Sequence, residues 1–314
     1  MNDSLRRLVS FEMVFDPEDA PFVAGVFVFL CVLIAVFVLF RAVGLPKEHR
    51  IGKEFYASEP RRFLITGCGS GLGKQLCRLV VAKGHKVLAT DKDFKTLKAV
   101  SLREGWHHLD DFEIKPLDVA SFTDWESAVR RLEQRFGGVD VLLNAACFHK
   151  FSKVQHLTEG EMESCIGFNI KGCVFGTNVV GSFMQSQSSC GSLPNGGHIV
   201  NFALAGAGPV LKGTSMSLAS GLAVHGFSLC AAKDFFEDGV YLTVVSVNTD
   251  LSVFGESENG DIQNIEQRLM NDILVRRPRQ VVIAGSFLSR LKVRFLNAFS
   301  ATRFVYYFEK YKTS

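Results

Sequence analysis

Residues 66–74 read T-G-C-G-S-G-L-G-K. Gly67 permits a tight turn after a strand. Gly71 lets bare backbone approach a ligand, and Gly73 lets a helix start pack closely on that strand. The chemistry of such a loop is electrostatic. Ser70, Gly71, Leu72 and Gly73 bring backbone N–H groups to a helix start, where unpaired amides and the helix dipole stabilise a pyrophosphate. A carboxylate stands about 20 residues downstream, at Asp91, where an acidic side chain accepts ribose hydroxyls. Asp91 also repels a 2′-phosphate, so the expected ligand is NAD rather than NADP. Lys92, one residue on, works against that preference.

The elements that must hold these residues are legible as short apolar runs. FLIT (63–66), KVLAT (86–90), FEIKPLD (112–118), VDVLLNAA (139–146), GHIVNFA (197–203) and VYLTVVSV (240–247) read as buried strands. Amphipathic stretches at 74–83, 124–136 and 161–180 lie between them. Strands alternating with helices predict a parallel sheet covered on both faces, an α/β doubly wound fold of the Rossmann type. No repeat or low-complexity tract is present. After about residue 255 the rhythm is lost. Residues 265–280 look helical up to Pro278, and 281–312 carry Phe and basic residues at helical spacing. That stretch predicts a cap of helices over the sheet. It also suits a basic amphipathic surface on a membrane or a lid over an apolar ligand.

The T-G-x-x-x-G-x-G spacing resembles that of the short-chain dehydrogenase/reductase family, and the resemblance runs from about residue 61 to 250. Asp118-Val119 looks like the family's adenine-contacting pair. Asn144-Ala145-Ala146 is similar to its N-A-G element, and Asn169 in FNIKG matches the asparagine of its catalytic tetrad. The T-G-C-x-S-G-x-G-K variant, with an apolar N-terminal run, looks most like the retinol, hydroxysteroid and hydroxybutyrate dehydrogenases. The resemblance implies nucleotide contacts from Gly67, Ser70, Gly71, Leu72, Gly73, Asp91, Asp118, Val119, Asn144 and Ala145.

It also implies a catalytic set: a tyrosine as general acid–base, a lysine four residues later, a serine on the substrate oxygen, and the asparagine ordering a water. Hydride transfer makes or breaks an alkoxide, so a proton must move to or from that oxygen. Matched to the family pattern, Leu204 holds the serine position, Ser217 the tyrosine position and Gly221 the lysine position. No Tyr occurs between Asp91 and Gly239. A serine is shorter and less acidic than a phenol, and Gly221 brings no cation to activate it. Losing general acid–base assistance alone costs about 10²–10⁴ in rate. The family's P-G after the sixth strand appears as Thr249-Asp250. A makeshift set of Ser217, His225 and Lys212 fails on distance, because residues eight apart on a helix lie about 12 Å apart along its axis. Asn169 reads equally well as a remnant that satisfies backbone groups.

The run 21–40 contains no charged side chain, and twenty helical residues span about 30 Å, the thickness of a hydrocarbon core. The expected order is a polar tail (1–20), a transmembrane helix (21–41), a linker (42–60), the dinucleotide-binding domain (61–255) and a C-terminal cap (256–314). Arg41, Lys47, Arg50 and Lys53 outweigh Arg6 and Arg7, which places the main domain in the cytosol by the positive-inside rule. The branch resemblance implies the endoplasmic reticulum. Eight cysteines without a C-x-x-C pair read as reduced thiols, and eight histidines show no metal spacing. With 35 basic and 32 acidic residues, the net charge of +3 excludes a nucleic-acid binder driven by charge. Two functions stay open: a membrane-anchored pseudoenzyme with a weakened NAD site that acts by binding, and an NAD-dependent oxidoreductase on an apolar alcohol or ketone with a non-standard acid–base group. A structural subunit is a third, because the family's helices at 161–180 and 214–229 commonly form a homo- or heterodimer face with a related dehydrogenase.

Overall fold

A computed structural model describes residues 31–32, 34–35, 59–193, 195–205, 212–248, 269, 273–274, 277 and 280–283. The chain divides into two compact units, Met1–Glu48 and His49–Ser314. In the first, Cys31, Val32, Ile34 and Ala35 are helical, and Val32 and Ile34 are exposed. The rest of the expected 21–41 helix lies outside the described residues.

The second unit holds a seven-stranded parallel sheet in the order β3-β2-β1-β4-β5-β6-β7. Its strands are β1 (Arg62–Thr66), β2 (Lys86–Asp91), β3 (Phe112–Pro116), β4 (Val141–Asn144), β5 (Gly197–Ala205), β6 (Val240–Asn248) and β7 (Gln280–Ile283). The long helices are α1 (Gly71–Ala82), α2 (Phe94–Arg103), α3 (Phe122–Phe136), α4 (Glu159–Cys165), α5 (Gly172–Ser189) and α6 (Ser215–Asp234). The doubly wound parallel sheet expected from the apolar runs is present.

Side chains of β1 alternate between two cores, as a period of two requires. Phe63 and Ile65 pack with Leu72, Leu76 and Val80 of α1 and Leu97 of α2. Leu64 packs on the other face with Trp125 and Leu132 of α3, Val180 and Met184 of α5, and Ala231 of α6. Trp125 is fully buried, and its indole N–H donates to the Val119 carbonyl at 2.9 Å. The ring fits because Gly176 of α5 has no side chain; a Cβ there would lie 2.5 Å from Trp125.

Three features differ from the sequence expectation. Residues 161–180 are helical throughout, as expected, but not uniformly α. α4 ends at Cys165, a π-helical turn spans Ile166–Lys171, and α5 then begins. Residues 280–283, expected to join helical segments, form β7 in register with β6, Val244 opposite Gln280. Val281, Val282 and Ile283 are β-branched and suit a pleated strand. The sheet therefore runs past the expected domain boundary at residue 255. Among the described residues, α6 is long and apolar enough to cross a membrane by length and composition. Its Ser217, Ser220, Val224, Ser228 and Ala231 are buried, and it packs on β5 and β6 as a core helix.

Candidate functional site

The strand order reverses between β1 and β4, which opens a crevice at the carboxyl ends of these strands. The glycine loop enters it from β1. Gly67 has φ 74°, and a Cβ there would stand 2.9 Å from the Ala146 Cα. A Cβ on Gly73 would fall inside the Gly67 carbonyl oxygen. Both positions exclude any side chain, because the obstacles are backbone. Ser70 is the N-cap residue of α1 and makes no side-chain cap, so no hydroxyl takes a first-turn amide. Gly71 and Leu72 follow it into the first turn.

Asp91 ends β2 and ties down this loop. Its carboxylate accepts from the Gly69 amide at 2.8 Å and from the Asp93 amide at 2.9 Å. Lys92 turns toward β3, with its ammonium 2.8 Å from the Asp118 carboxylate and 5.0 Å from the centre of the Phe168 ring. Asp118 also accepts from the Ala120 amide at 3.0 Å. Partial burial pushes the Asp118 carboxyl up, but the Lys92 hydrogen bond and the Ala120 amide outweigh it and hold the group below its ordinary range. Val119 is buried and packs on Gly172, where a Cβ would lie 2.7 Å from its side chain.

Asn144 and Ala145 close the floor. Thr66 Oγ1 donates to Asn144 Oδ1 at 3.2 Å and accepts from the amides of Ala145 and Ala146 at 3.1 and 3.0 Å. Asn144 Nδ2 lies 3.4 Å from Asn201 Oδ1, and Asn201 donates to Thr177 and Ser228 at 3.2 and 3.0 Å. This buried polar chain links β1, β4, β5, α5 and α6. Each member has a partner, so it holds the crevice rigid rather than costing stability.

Asn169 projects from the π-helical turn. Its Oδ1 accepts from the Phe148 amide at 2.7 Å, and its Nδ2 donates to the Phe148 carbonyl at 2.9 Å and to Ser220 Oγ at 2.8 Å. The side chain thus fixes the loop after β4 to α6. Of the expected catalytic positions, Asn169 and Gly221 line one cleft. With them stand Asn144, Cys147, His149, Cys173, Ser220 and Val224. Free space in the cleft is about 20 Å³, room for about one water. Ser217 is fully buried on α6, and its hydroxyl has no partner among the described residues. Leu204 pairs with Val247 in the sheet; its side chain lies outside the described set, as does Asp250.

Burial holds the described titratable groups of the cleft neutral. It lowers the His149 pKa to about 4, so the ring is neutral near pH 7. It pushes the Cys173 thiol up to about 12, against hydrogen bonds from Ser228 and Thr177. His149 follows β4 in no recognisable motif, and sequence reasoning missed it; the only signal was its place at the carboxyl end of a strand. His225 is not in the cleft lining. Its Nδ1 lies 3.0 Å from Ser246 Oγ on β6, and Lys212 is exposed, so the makeshift set does not assemble. The one described tyrosine, Tyr241, sits at the amino end of β6, at the far end of the sheet, under the Arg277 guanidinium.

A family model described as short chain dehydrogenase matches residues 61–253, more than half of the chain. The chain belongs to this family. An uncharacterized oxidoreductase of Staphylococcus aureus (strain USA300) is 28% identical over 183 residues, 58% of this chain and 75% of that protein. The 3-ketoacyl-(acyl-carrier-protein) reductase of Brucella melitensis, solved with NADH, is 24% identical; the match covers 63% of this chain and 81% of that one, with TM-score 0.54. A metagenomic short-chain oxidoreductase solved with NADP is 18% identical, covering 74% of this chain and 100% of that one, with TM-score 0.60. These two likenesses establish the short-chain dehydrogenase fold.

Proposed function

We propose that this short-chain dehydrogenase relative binds an adenine dinucleotide, NAD in preference to NADP, and works by binding, having lost the family's alcohol–ketone chemistry. One observation carries the reading. Among the described residues, the cleft that holds Asn169 and Gly221 has no charged group near pH 7 and no phenol. Hydride transfer to a carbonyl leaves an alkoxide that needs a proton and a positive partner. Neutral His149 is a poor acid there, because burial keeps its ring deprotonated near pH 7. The bound dinucleotide would supply hydride chemistry. Gly67, Ser70, Gly71, Leu72 and Gly73 would hold its pyrophosphate, and Asp91 its ribose. Asp118, Val119, Asn144 and Ala145 would border its rings. The loop fits that group, because its glycines leave no side chain over the helix start. The NADH and NADP bound to the two solved relatives support a nucleotide in this crevice.

The reading also takes residues 21–41 as a single membrane anchor, with the main unit on the cytosolic side at the endoplasmic reticulum. The open face of α6, Ala219, Leu222, Ala223, Gly226 and Cys230, would be a homo- or heterodimer face, and an apolar small molecule would be the cargo. The test is direct. The purified chain should bind NADH and show no turnover of retinol, a hydroxysteroid or 3-hydroxybutyrate. Turnover that Asn169→Ala or Gly71→Val abolishes would refute the reading and restore an active oxidoreductase with an unusual proton carrier.

A further inference from the structure

The site that seats a pyrophosphate on α1 and a ribose on Asp91 must place the adenine next along the sheet edge, beyond β2 and toward β3. That ground is already covered. Lys92 leaves the end of β2 and reaches the loop after β3, where its ammonium pairs with Asp118 at 2.8 Å. The same ammonium sits 5.0 Å from the centre of the Phe168 ring, on the π-helical turn. Phe168 stacks at 6.1 Å on Phe148, whose backbone is gripped by Asn169 at 2.7 and 2.9 Å. Asp118 is itself fixed, by the Ala120 amide and by its own amide's bond to Asp124 at 2.9 Å. One side chain therefore spans from β2 to β3 across the adenosine half of the crevice, with an aromatic wall beneath it.

We infer that Lys92 is a latch over the adenosine half of the crevice, and that an adenine dinucleotide must displace its ammonium from Asp118 and Phe168 in order to seat. This deepens the nucleotide-binding reading and rests on it. The physical consequence has an unusual sign. A lysine near a bis-anionic ligand ordinarily attracts it, so removing that lysine weakens binding. A latch behaves oppositely, because the ligand gains whatever the broken ion pair no longer withholds. Lys92 is exposed and Asp118 partly so, with side chains 56% and 31% accessible, so the pair is of the modest surface kind. Salt screens such pairs. High salt should therefore loosen the latch and oppose the general weakening of an anionic ligand.

The experiment measures NADH affinity by fluorescence titration for the full chain, for Lys92→Met and for Lys98→Met. Methionine keeps an unbranched stem and removes the charge over Phe168. Lys98 is exposed on α2, and its loss controls for net charge. Lys92→Met should lower the Kd about two- to fivefold, the range of a surface ion pair, while Lys98→Met leaves it unchanged or raises it. The advantage of Lys92→Met should shrink at high salt. A Kd that is unchanged or raised in Lys92→Met, with NADH still bound by the wild-type chain, overturns the latch and leaves the nucleotide site standing. Absence of NADH binding in all three chains, each folded by circular dichroism, overturns the nucleotide reading and the latch with it.

Discussion

Asn169 uses every polar atom of its amide on neighbours that are far away in sequence. Two of its bonds go to the Phe148 backbone and one to Ser220. The residue is 8% exposed, so its removal would strand buried donors and acceptors. An unsatisfied buried group costs about 1–3 kcal/mol. Asn169→Ala should thus lower the unfolding free energy by roughly 2–4 kcal/mol, read by urea denaturation. A smaller loss than 1 kcal/mol would mean that water replaces the amide. Two histidines predict a pH dependence. Burial first, and then Arg61, lowers His85 to about 4; burial alone does so for His149. Their folded pKa values lie below the unfolded value of about 6.5, so the unfolded chain binds more protons between these limits. Stability is full above pH 6.5 and is lost as pH falls toward 4. With allowance for solvent access, each should contribute roughly 1 kcal/mol of that loss. Melting temperatures at pH 7 and pH 5 check this, and the drop should shrink in His149→Gln.

At the scale of elements, β1 is joined to the turn before β4 by a half-buried ion pair. Arg62 donates to Asp140 through Nε at 2.9 Å and through its terminal nitrogen at 2.7 Å, and Asp140 also takes the Arg62 amide at 2.7 Å. Asp140→Ala leaves a shielded guanidinium without its anion, and breaking such a pair costs about 3–5 kcal/mol. Thermal unfolding should show that loss, with Asp140→Asn closer to the wild type. Six strands were readable in advance because each is a short apolar run bounded by turn residues. β7 was not, since V-V-I-A-G-S-F-L (281–288) fits a helical spacing as well as a strand, and only pairing with β6 decides between them. The π-helical turn was invisible for a related reason. Its apolar pattern continues across residues 161–180, and the extra residue shows only when Asn169 finds Phe148. The glycine loop and Asp91 were legible because their requirements are local. The ties of Asp118 to Lys92 and the position of His149 in the cleft are tertiary, and no spacing in the chain announces them.

At the scale of the whole molecule, the division at 48/49 falls inside the linker expected at 42–60. On the proposed anchor at 21–41, a chain beginning at His49 should keep the NADH affinity and melting temperature of the full chain and move from the membrane pellet to the supernatant on fractionation. Loss of folding on truncation would contradict an independent second unit. The far end of the sheet carries a different device. Arg277 adopts φ 48°, a left-handed conformation that a side chain tolerates poorly. Its guanidinium reaches the Asn195 and Gly196 carbonyls at 2.7 and 3.3 Å and covers the Tyr241 ring at 4.6 Å. A residue just ahead of the seventh strand is thereby clipped to the entrances of the fifth and sixth. Deuterium uptake should report that clip: amides of β5 and β6 would exchange only with the slowest class in the wild-type chain, and Arg277→Ala would let them join an earlier, local opening while β1 and β2 stay protected.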